Sequence, residues 1–376
     1  MRAINSGNDY RVYDNSVKLF NGLPAQIYGI RFDPMKGYSL CKYSDIAINE
    51  KVYGVHEAKV NKALGSFKAF NRSLGIILSG DKGIGKSLFA KMLCNKAVEE
   101  GYPVIICDAD YPGLAHFIDS IDQECVVFFD EFDKTFKTNE MSSNNDAQAA
   151  MLSLFDGVSM NKKLFCITCN DTSGLNNFLI NRPGRFHYHF RFNYPNKEEI
   201  EDYLKDHIAE DKYVEIEKVI DFARKVQLNY DCLRAISYEL SLCDTFEEAI
   251  SDLNIVKPDY GQPCMVILMF DNGTNIREQI TCDLFGIEEE TIYIGSDSEA
   301  ESDYISIDFI PSDAQYSWEH GGYYIPAKKF KCDTSVEEDS WVMRHHKDFV
   351  LANSSEHVVG MLIKPIFKQK SIHYFS

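Results

Sequence analysis

The residues best suited to chemistry lie in one run, Gly80-Asp81-Lys82-Gly83-Ile84-Gly85-Lys86-Ser87, which fits G-x-x-x-x-G-K-[ST]. It follows an apolar, strand-like stretch and leads through Leu88 into a helical pattern, which is the context this spacing requires. Glycines there let backbone N–H groups wrap phosphates, Lys86 can reach β- and γ-oxygens, and Ser87 can hold Mg²⁺. The plain alternative, a glycine-rich turn, explains the letters but not their place between strand and helix. Downstream, Val126-Val127-Phe128-Phe129 ends in Asp130-Glu131. A strand delivers both carboxylates to the carboxyl edge of a sheet, where Asp130 can orient a Mg²⁺ shell and Glu131 can polarise an attacking water.

These residues need a scaffold that brings strand ends together. Between 51 and 195, short apolar runs (Gly75 to Ser79, Val104 to Cys107, Cys125 to Phe129, Leu164 to Cys169, His187 to Phe192) alternate with helical patterns (Ser87 to Glu100, Leu114 to Ile121, Gln148 to Phe155). Such alternation predicts an α/β architecture with a parallel sheet covered on both faces. Residues 1–50, aromatic-rich and punctuated by Gly22, Pro24, Pro34 and Gly37, read as an extended or hairpin-containing segment. Three helical pieces occupy 196–250, opened by Asn196 as a cap with Glu198 and Glu199 in the first turn. From 255 to 376 the period shortens to that of strands, and Asp271-Asn272-Gly273 between Met265 to Phe270 and Asn275 to Cys282 signals a hairpin. Glu288 to Asp303, rich in acids and without a base, reads as a solvated loop.

With 39 Lys plus Arg against 57 Asp plus Glu, the net charge is −18, which disfavours coating a phosphate backbone. No apolar run approaches the ~18 residues a bilayer demands, and Met1 to Asn15 lacks a signal-peptide core, so a soluble, cytoplasmic protein without membrane attachment is expected. Of the 11 cysteines, Cys107, Cys125, Cys166 and Cys169 sit in strand-like runs and read as core thiols; the Cys166/Cys169 spacing has no second pair to complete a metal site.

Taken together, these motifs resemble the AAA+ ATPase superfamily, closest to classical AAA proteins, over about 51–245. The resemblance implies a P-loop NTPase core of five parallel strands, a helical lid, and here a β-rich C-terminal domain. It makes Asn170, at the end of the Leu164 to Cys169 strand, a polar residue that helps place the hydrolytic water. Leu154-Phe155-Asp156-Gly157-Val158 looks like the helix end preceding that strand. Asn181-Arg182-Pro183-Gly184-Arg185-Phe186 is similar to the segment that carries arginine fingers, which implies that Arg182 and Arg185 act on a neighbouring subunit's nucleotide in a homo-oligomeric ring, most often a hexamer. Tyr53-Gly54 lies where members have an apolar residue and glycine against adenine. Stand-alone members of this size with unfamiliar flanks are often phage-encoded.

Several positions depart from the family. Asp81 and Lys82 replace the usual prolines, as in some helicase loaders. Leu233 occupies the sensor 2 arginine position and Arg234 follows it, either reaching the γ-phosphate or lying on an ordinary helix surface. Tyr111, in Asp110-Tyr111-Pro112-Gly113-Leu114, has the aromatic-x-glycine form of a pore loop, although a plain Pro-Gly turn accounts for it equally. Asp133 to Asn145, with Lys134, Lys137, Asn144 and Asn145, is a second loop facing the pore or a surface segment. The expectation is a Mg²⁺- and ATP-dependent ring that remodels or translocates a macromolecule, a protein before a nucleic acid; the alternative is a nucleic-acid-associated ATPase of helicase-loader or clamp-loader type.

Overall fold

A computed structural model describes residues 1–6, 9–43, 48, 51–54, 56–136, 147–156, 162–180, 182–255, 261–294, 305–333 and 358–367. Lys137 to Asn145, Gly157-Val158, Asn181 and the acidic stretch beyond Ile294 lie outside the described residues. The chain forms two compact units, one from Met1–Pro195 together with Asn229–Asp231, the other mainly from Asn196–Leu228 and the residues after Cys232.

In chain order the first unit contains β1 (Arg2–Ser6), β2 (Asp9–Tyr13), β3 (Ile27–Asp33), β4 (Gly37–Lys42), α1 (His56–Ala69), β5 (Leu74–Ser79), α2 (Lys86–Glu99), β6 (Val104–Cys107), α3 (Leu114–Asp119), β7 (Cys125–Phe129), α4 (Phe132–Thr135), α5 (Ala147–Phe155), β8 (Lys163–Cys169) and β9 (Phe186–Arg191). The main sheet runs β4-β3-β6-β7-β8-β5-β9. Every residue of β5, β6, β7 and β8 is buried, which is why these strands are continuous apolar runs rather than alternations. Ile76 and Leu78 of β5 pack with Leu64, Phe67, Phe89 and Leu93 of α1 and α2, while Ile77 joins Ile118, Leu154 and Phe155 on the opposite face. The sheet is larger than the five strands the resemblance implies: β3 pairs parallel to β6 and β4 returns antiparallel, so part of the aromatic N-terminal segment belongs to the core sheet. The order β7-β8-β5 sets the carboxyl ends of three strands side by side, with Phe129 level with Ile167 and Ser79 level with Cys169.

The second unit holds α6 (Lys197–His207), α7 (Ile216–Lys225), most of α8 (Tyr230–Leu240) and α9 (Phe246–Ile250), followed by β10 (Gln262–Phe270), β11 (Asn275–Cys282), β12 (Glu290–Ile294), β13 (Ile305–Phe309), β14 (Gln315–Ser317), β15 (Gly322–Pro326), β16 (Phe330–Asp333) and β17 (Val358–Pro365). Asn196 caps α6 reciprocally with Glu199, at 2.9 and 3.0 Å. The strands form antiparallel sheets ordered β11-β10-β17-β15-β14 and β12-β13-β16, and β10 alternates buried and half-buried residues as a one-sided sheet should. The expected hairpin turns at Gly273, and the reading of Glu288 to Asp303 as a loop needs correction. Glu290–Ile294 is a strand, because Ile292 and Ile294 reach the core while Thr291 and Tyr293 face out. Arg224 of α7 stacks 4.0 Å over Tyr316, and Tyr323 donates to the Asp221 carbonyl at 3.1 Å, which holds α7 against the strands.

Candidate functional site

The run from Gly80 to Gly85 connects β5 to α2, as its spacing requires. Gly80 has φ 144°, and a Cβ there would sit 2.5 Å from the Phe192 carbonyl oxygen; a Cβ on Gly83, at φ 73°, would sit 2.7 Å from the side chains of Asn229 and Asp231. No larger residue fits either place. Gly85 begins α2 without a side-chain cap, leaving the N–H groups of a 14-residue helix open to an anion. Lys86 curls back, its Nζ donating to the Gly80 and Asp81 carbonyls at 2.7 and 2.6 Å and to Asn170 Oδ1 at 3.0 Å. Burial pushes its pKa down while nearby acids hold it up. Ser87, in the first turn, is exposed.

Beyond β7, the Thr168 hydroxyl donates to Asp130 Oδ1 at 2.7 Å, and the Glu131 N–H donates to Thr168 Oγ1 at 2.8 Å. These bonds fix Asp130 at the sheet edge and swing Glu131 outward into an ion pair with Lys134. That hydrogen bond to Lys134 holds the Glu131 carboxyl below the usual carboxylate range, with Lys82 and Asn170 close enough to contribute. Asn170 lies just past β8. The structure therefore brings Lys82, Lys86, Asp130, Glu131 and Asn170 to one edge of the sheet.

The two arginines differ. Arg185 is engaged within its own chain: Nε and Nη2 fork onto Asp156, the latter at 2.7 Å, and Nη1 donates to the Phe178 carbonyl at 2.8 Å. Arg182 is exposed, its guanidinium stacked 4.9 Å from the Phe178 ring, and Arg72 pins the turn between them by donating to Gly184 O at 2.6 Å.

Tyr53 stacks on Tyr230 with ring centroids 6.2 Å apart, and Gly54 has φ 77°. Tyr230 also donates its N–H to Gly83 O at 2.9 Å, and Asn229 Nδ2 to Lys82 O at 3.2 Å. Sequence reasoning missed this contact because no local pattern marks residues so far from the loop they brace. It also missed His56, buried against Phe192 with burial pushing its pKa down to about 4, and Tyr194, whose hydroxyl meets Asp81 Oδ2 at 3.0 Å. The chain Thr168–Asp130 was equally unread, although a hydroxyl in the neighbouring strand is a visible signal. Arg234 is exposed on α8 while Leu233 is buried.

Tyr111 is half-buried in a cluster with Phe32 and Tyr38, at 5.6 and 6.5 Å, and Tyr38 donates to the Pro112 carbonyl at 2.9 Å. This packing supports the turn reading over a pore loop. Tyr111→Ala should lower the unfolding free energy by about 1–3 kcal/mol, seen as a lower urea midpoint, and reduce every activity together, whereas Tyr111→Phe should be near neutral. Loss of partner remodelling with unchanged stability and turnover would instead favour a pore-loop aromatic.

Among the described residues no cluster of His, Cys, Asp or Glu forms a ready-made metal cage. Mg²⁺ is commonly held by one or two protein oxygens plus substrate phosphates, and Asp130 with Ser87 are the residues that could hold it. No helix among the described residues is long and apolar enough to cross a membrane.

A family model described as "ATPase family associated with various cellular activities (AAA)" matches residues 76–194. A protein of Plasmodium falciparum (isolate 3D7) named as a cell division cycle ATPase is 29% identical over 128 residues, 31% of this chain and 10% of that protein. Proteins named ATP-dependent zinc metalloprotease FtsH are similar at 29% over 155 residues in Aster yellows witches'-broom phytoplasma (strain AYWB) and at 28% over 152 residues in Ralstonia pickettii (strain 12J). These matches cover 38% and 36% of this chain, and 23% and 21% of those proteins. The chain thus spans under a quarter of the length of each of these relatives.

Proposed function

We propose that this chain, a member of the AAA+ ATPase superfamily through its residues 76–194, hydrolyses ATP with Mg²⁺ as a homo-oligomeric ring and uses the turnover to remodel or translocate a protein partner. The observation that carries the reading is the Lys86–Asn170 hydrogen bond of 3.0 Å, which ties the glycine loop after β5 to the polar end of β8 beside Asp130 and Glu131. A phosphate in the glycine cradle would take over the contacts Lys86 now makes with Gly80 and Asp81. Ser87 and Asp130 are the residues that would hold Mg²⁺, whose chemistry is to neutralise charge on the phosphates. Glu131, kept ionised by Lys134, orients and polarises the attacking water. Tyr53 and Tyr230 offer an aromatic wall for a base beside Gly83. Arg182 is the better placed of the two arginines to reach a neighbouring subunit. A protein partner is supported by the relatives named as FtsH and by the charge of −18.

The test compares ATP turnover alone, with an unfolded protein, and with single- and double-stranded DNA. Stimulation by the unfolded protein is expected. Stimulation by DNA alone would move the loader-type reading ahead, and absence of Mg²⁺-dependent turnover under every condition would end the ATPase reading.

A further inference from the structure

Asp133 is a third carboxylate on the turn that carries Asp130 and Glu131, and it does something neither of them does. Glu131 has φ 45°, the only left-handed backbone among the described non-glycine residues, a conformation disfavoured for a side chain with a Cβ. That kink lets neighbouring carboxylates diverge. Asp130 turns to Thr168, Glu131 turns outward, and Asp133 turns back toward the chain leaving β8. There Asp133 Oδ2 accepts from the backbone N–H of Asn170 at 3.1 Å and of Asp171 at 3.3 Å. Both N–H groups lie beyond Cys169, where the pairing of β8 with β5 ends, so no strand holds them.

The Asn170 side chain is thereby given a fixed orientation. Its Oδ1 accepts from Lys86, which turns Nδ2 toward the Glu131 carboxylate, where it is buried and close enough to help keep that group ionised but without a hydrogen bond of good geometry. Asp133 Oδ1 is buried and unpartnered as well. Buried polar atoms without well-formed hydrogen bonds on two touching residues work against stability, and such atoms persist where a site is prepared for a ligand.

The structure assigns Asp133 as a positioning residue for ATP hydrolysis: it clamps the backbone of Asn170 and Asp171 so that the Asn170 amide stays between Lys86 and the Glu131 carboxylate. This deepens the ATPase reading above and rests on it. Asp133 acts through Asn170 and touches no substrate.

The experiment measures ATP turnover and ATP binding separately in full-length protein. Asp133→Ala should cut kcat by about 10- to 100-fold and leave ATP affinity within about threefold, while Asp133→Asn, which keeps an acceptor for the two N–H groups, should recover most of the loss. Asn170→Ala combined with Asp133→Ala should be no slower than Asn170→Ala alone, because a clamp has nothing left to position once the amide is gone. Multiplying losses in the double variant would overturn the assignment. So would wild-type kcat in Asp133→Ala, or an affinity loss as large as the turnover loss, which would mark a general structural role. If wild type itself fails to turn over ATP, the ATPase reading fails first. Normal wild-type turnover abolished by Lys86→Ala, with Asp133→Ala fully active, sinks the Asp133 assignment alone.

Discussion

Lys86→Ala should weaken nucleotide binding by roughly 30- to 1,000-fold, whereas Glu131→Gln should bind ATP like the parent protein and turn it over about 10²- to 10⁴-fold more slowly. The two residues stand at the same sheet edge, and the difference follows from what each side chain does in the ground state. Lys86 is buried, with its ammonium shared among two loop carbonyls and Asn170, and a bound phosphate would receive that charge in their place. Removing it withdraws the charge-assisted hydrogen bonds to the β- and γ-oxygens, about 2–4 kcal/mol together and so roughly 30- to 1,000-fold in affinity. Glu131 is exposed and tied to Lys134, so its conversion to Gln disturbs no packing. What Gln lacks is the ionised acceptor for the attacking water's proton. Equilibrium titration with a fluorescent ATP analogue, alongside phosphate release, separates the two effects. Turnover in Glu131→Gln within tenfold of wild type would show that another group polarises the water.

The strands that carry this site were legible because each is buried on both faces. Leu74–Ser79, Val104–Cys107 and Cys125–Phe129 are unbroken apolar runs that only a covered parallel sheet can accommodate, and their order along the chain placed Asp130 and Asn170 at strand ends. The two strands Ile27–Asp33 and Gly37–Lys42 form a hairpin within the segment read as extended or hairpin-containing, but their place in the core sheet was not legible, for the opposite reason. Interrupted by Gly29, Arg31 and Ser39 and only partly covered, they read as a peripheral hairpin until β6 supplies a partner for β3. Glu290–Ile294 was hidden by charge. Acids at Glu288, Glu289 and Glu290 outweighed the alternation of Ile292 and Ile294, although alternation is what a one-sided sheet selects. Contacts between distant segments leave no local trace: nothing near Asn229 and Tyr230 announces that they brace Lys82 and Gly83, and nothing near Asp156 announces that it takes up Arg185.

That last pairing shapes the second large effect. Arg182→Ala should keep ATP affinity near wild type and lower turnover by about 10³-fold, because a guanidinium that stabilises charge only as the γ-phosphate leaves contributes to the transition state and not to the bound substrate. Arg185→Ala should behave differently. Its guanidinium is committed to Asp156 and the Phe178 carbonyl, so truncation leaves a carboxylate and a carbonyl without their donor and lowers the thermal midpoint along with activity. Mixing subunits tests the direction in which Arg182 acts. A ring containing both Lys86→Ala and Arg182→Ala subunits holds some interfaces where an intact Lys86 site faces an intact Arg182, and those interfaces should hydrolyse ATP although neither variant does so alone. The same mixture made with Arg185→Ala in place of Arg182→Ala should show no comparable recovery beyond the Arg185→Ala subunit's own residual rate. If mixed rings form, as seen by tag exchange, and Lys86→Ala with Arg182→Ala stays inactive, Arg182 does not work across a subunit boundary, and its exposure beside Phe178 must have another cause.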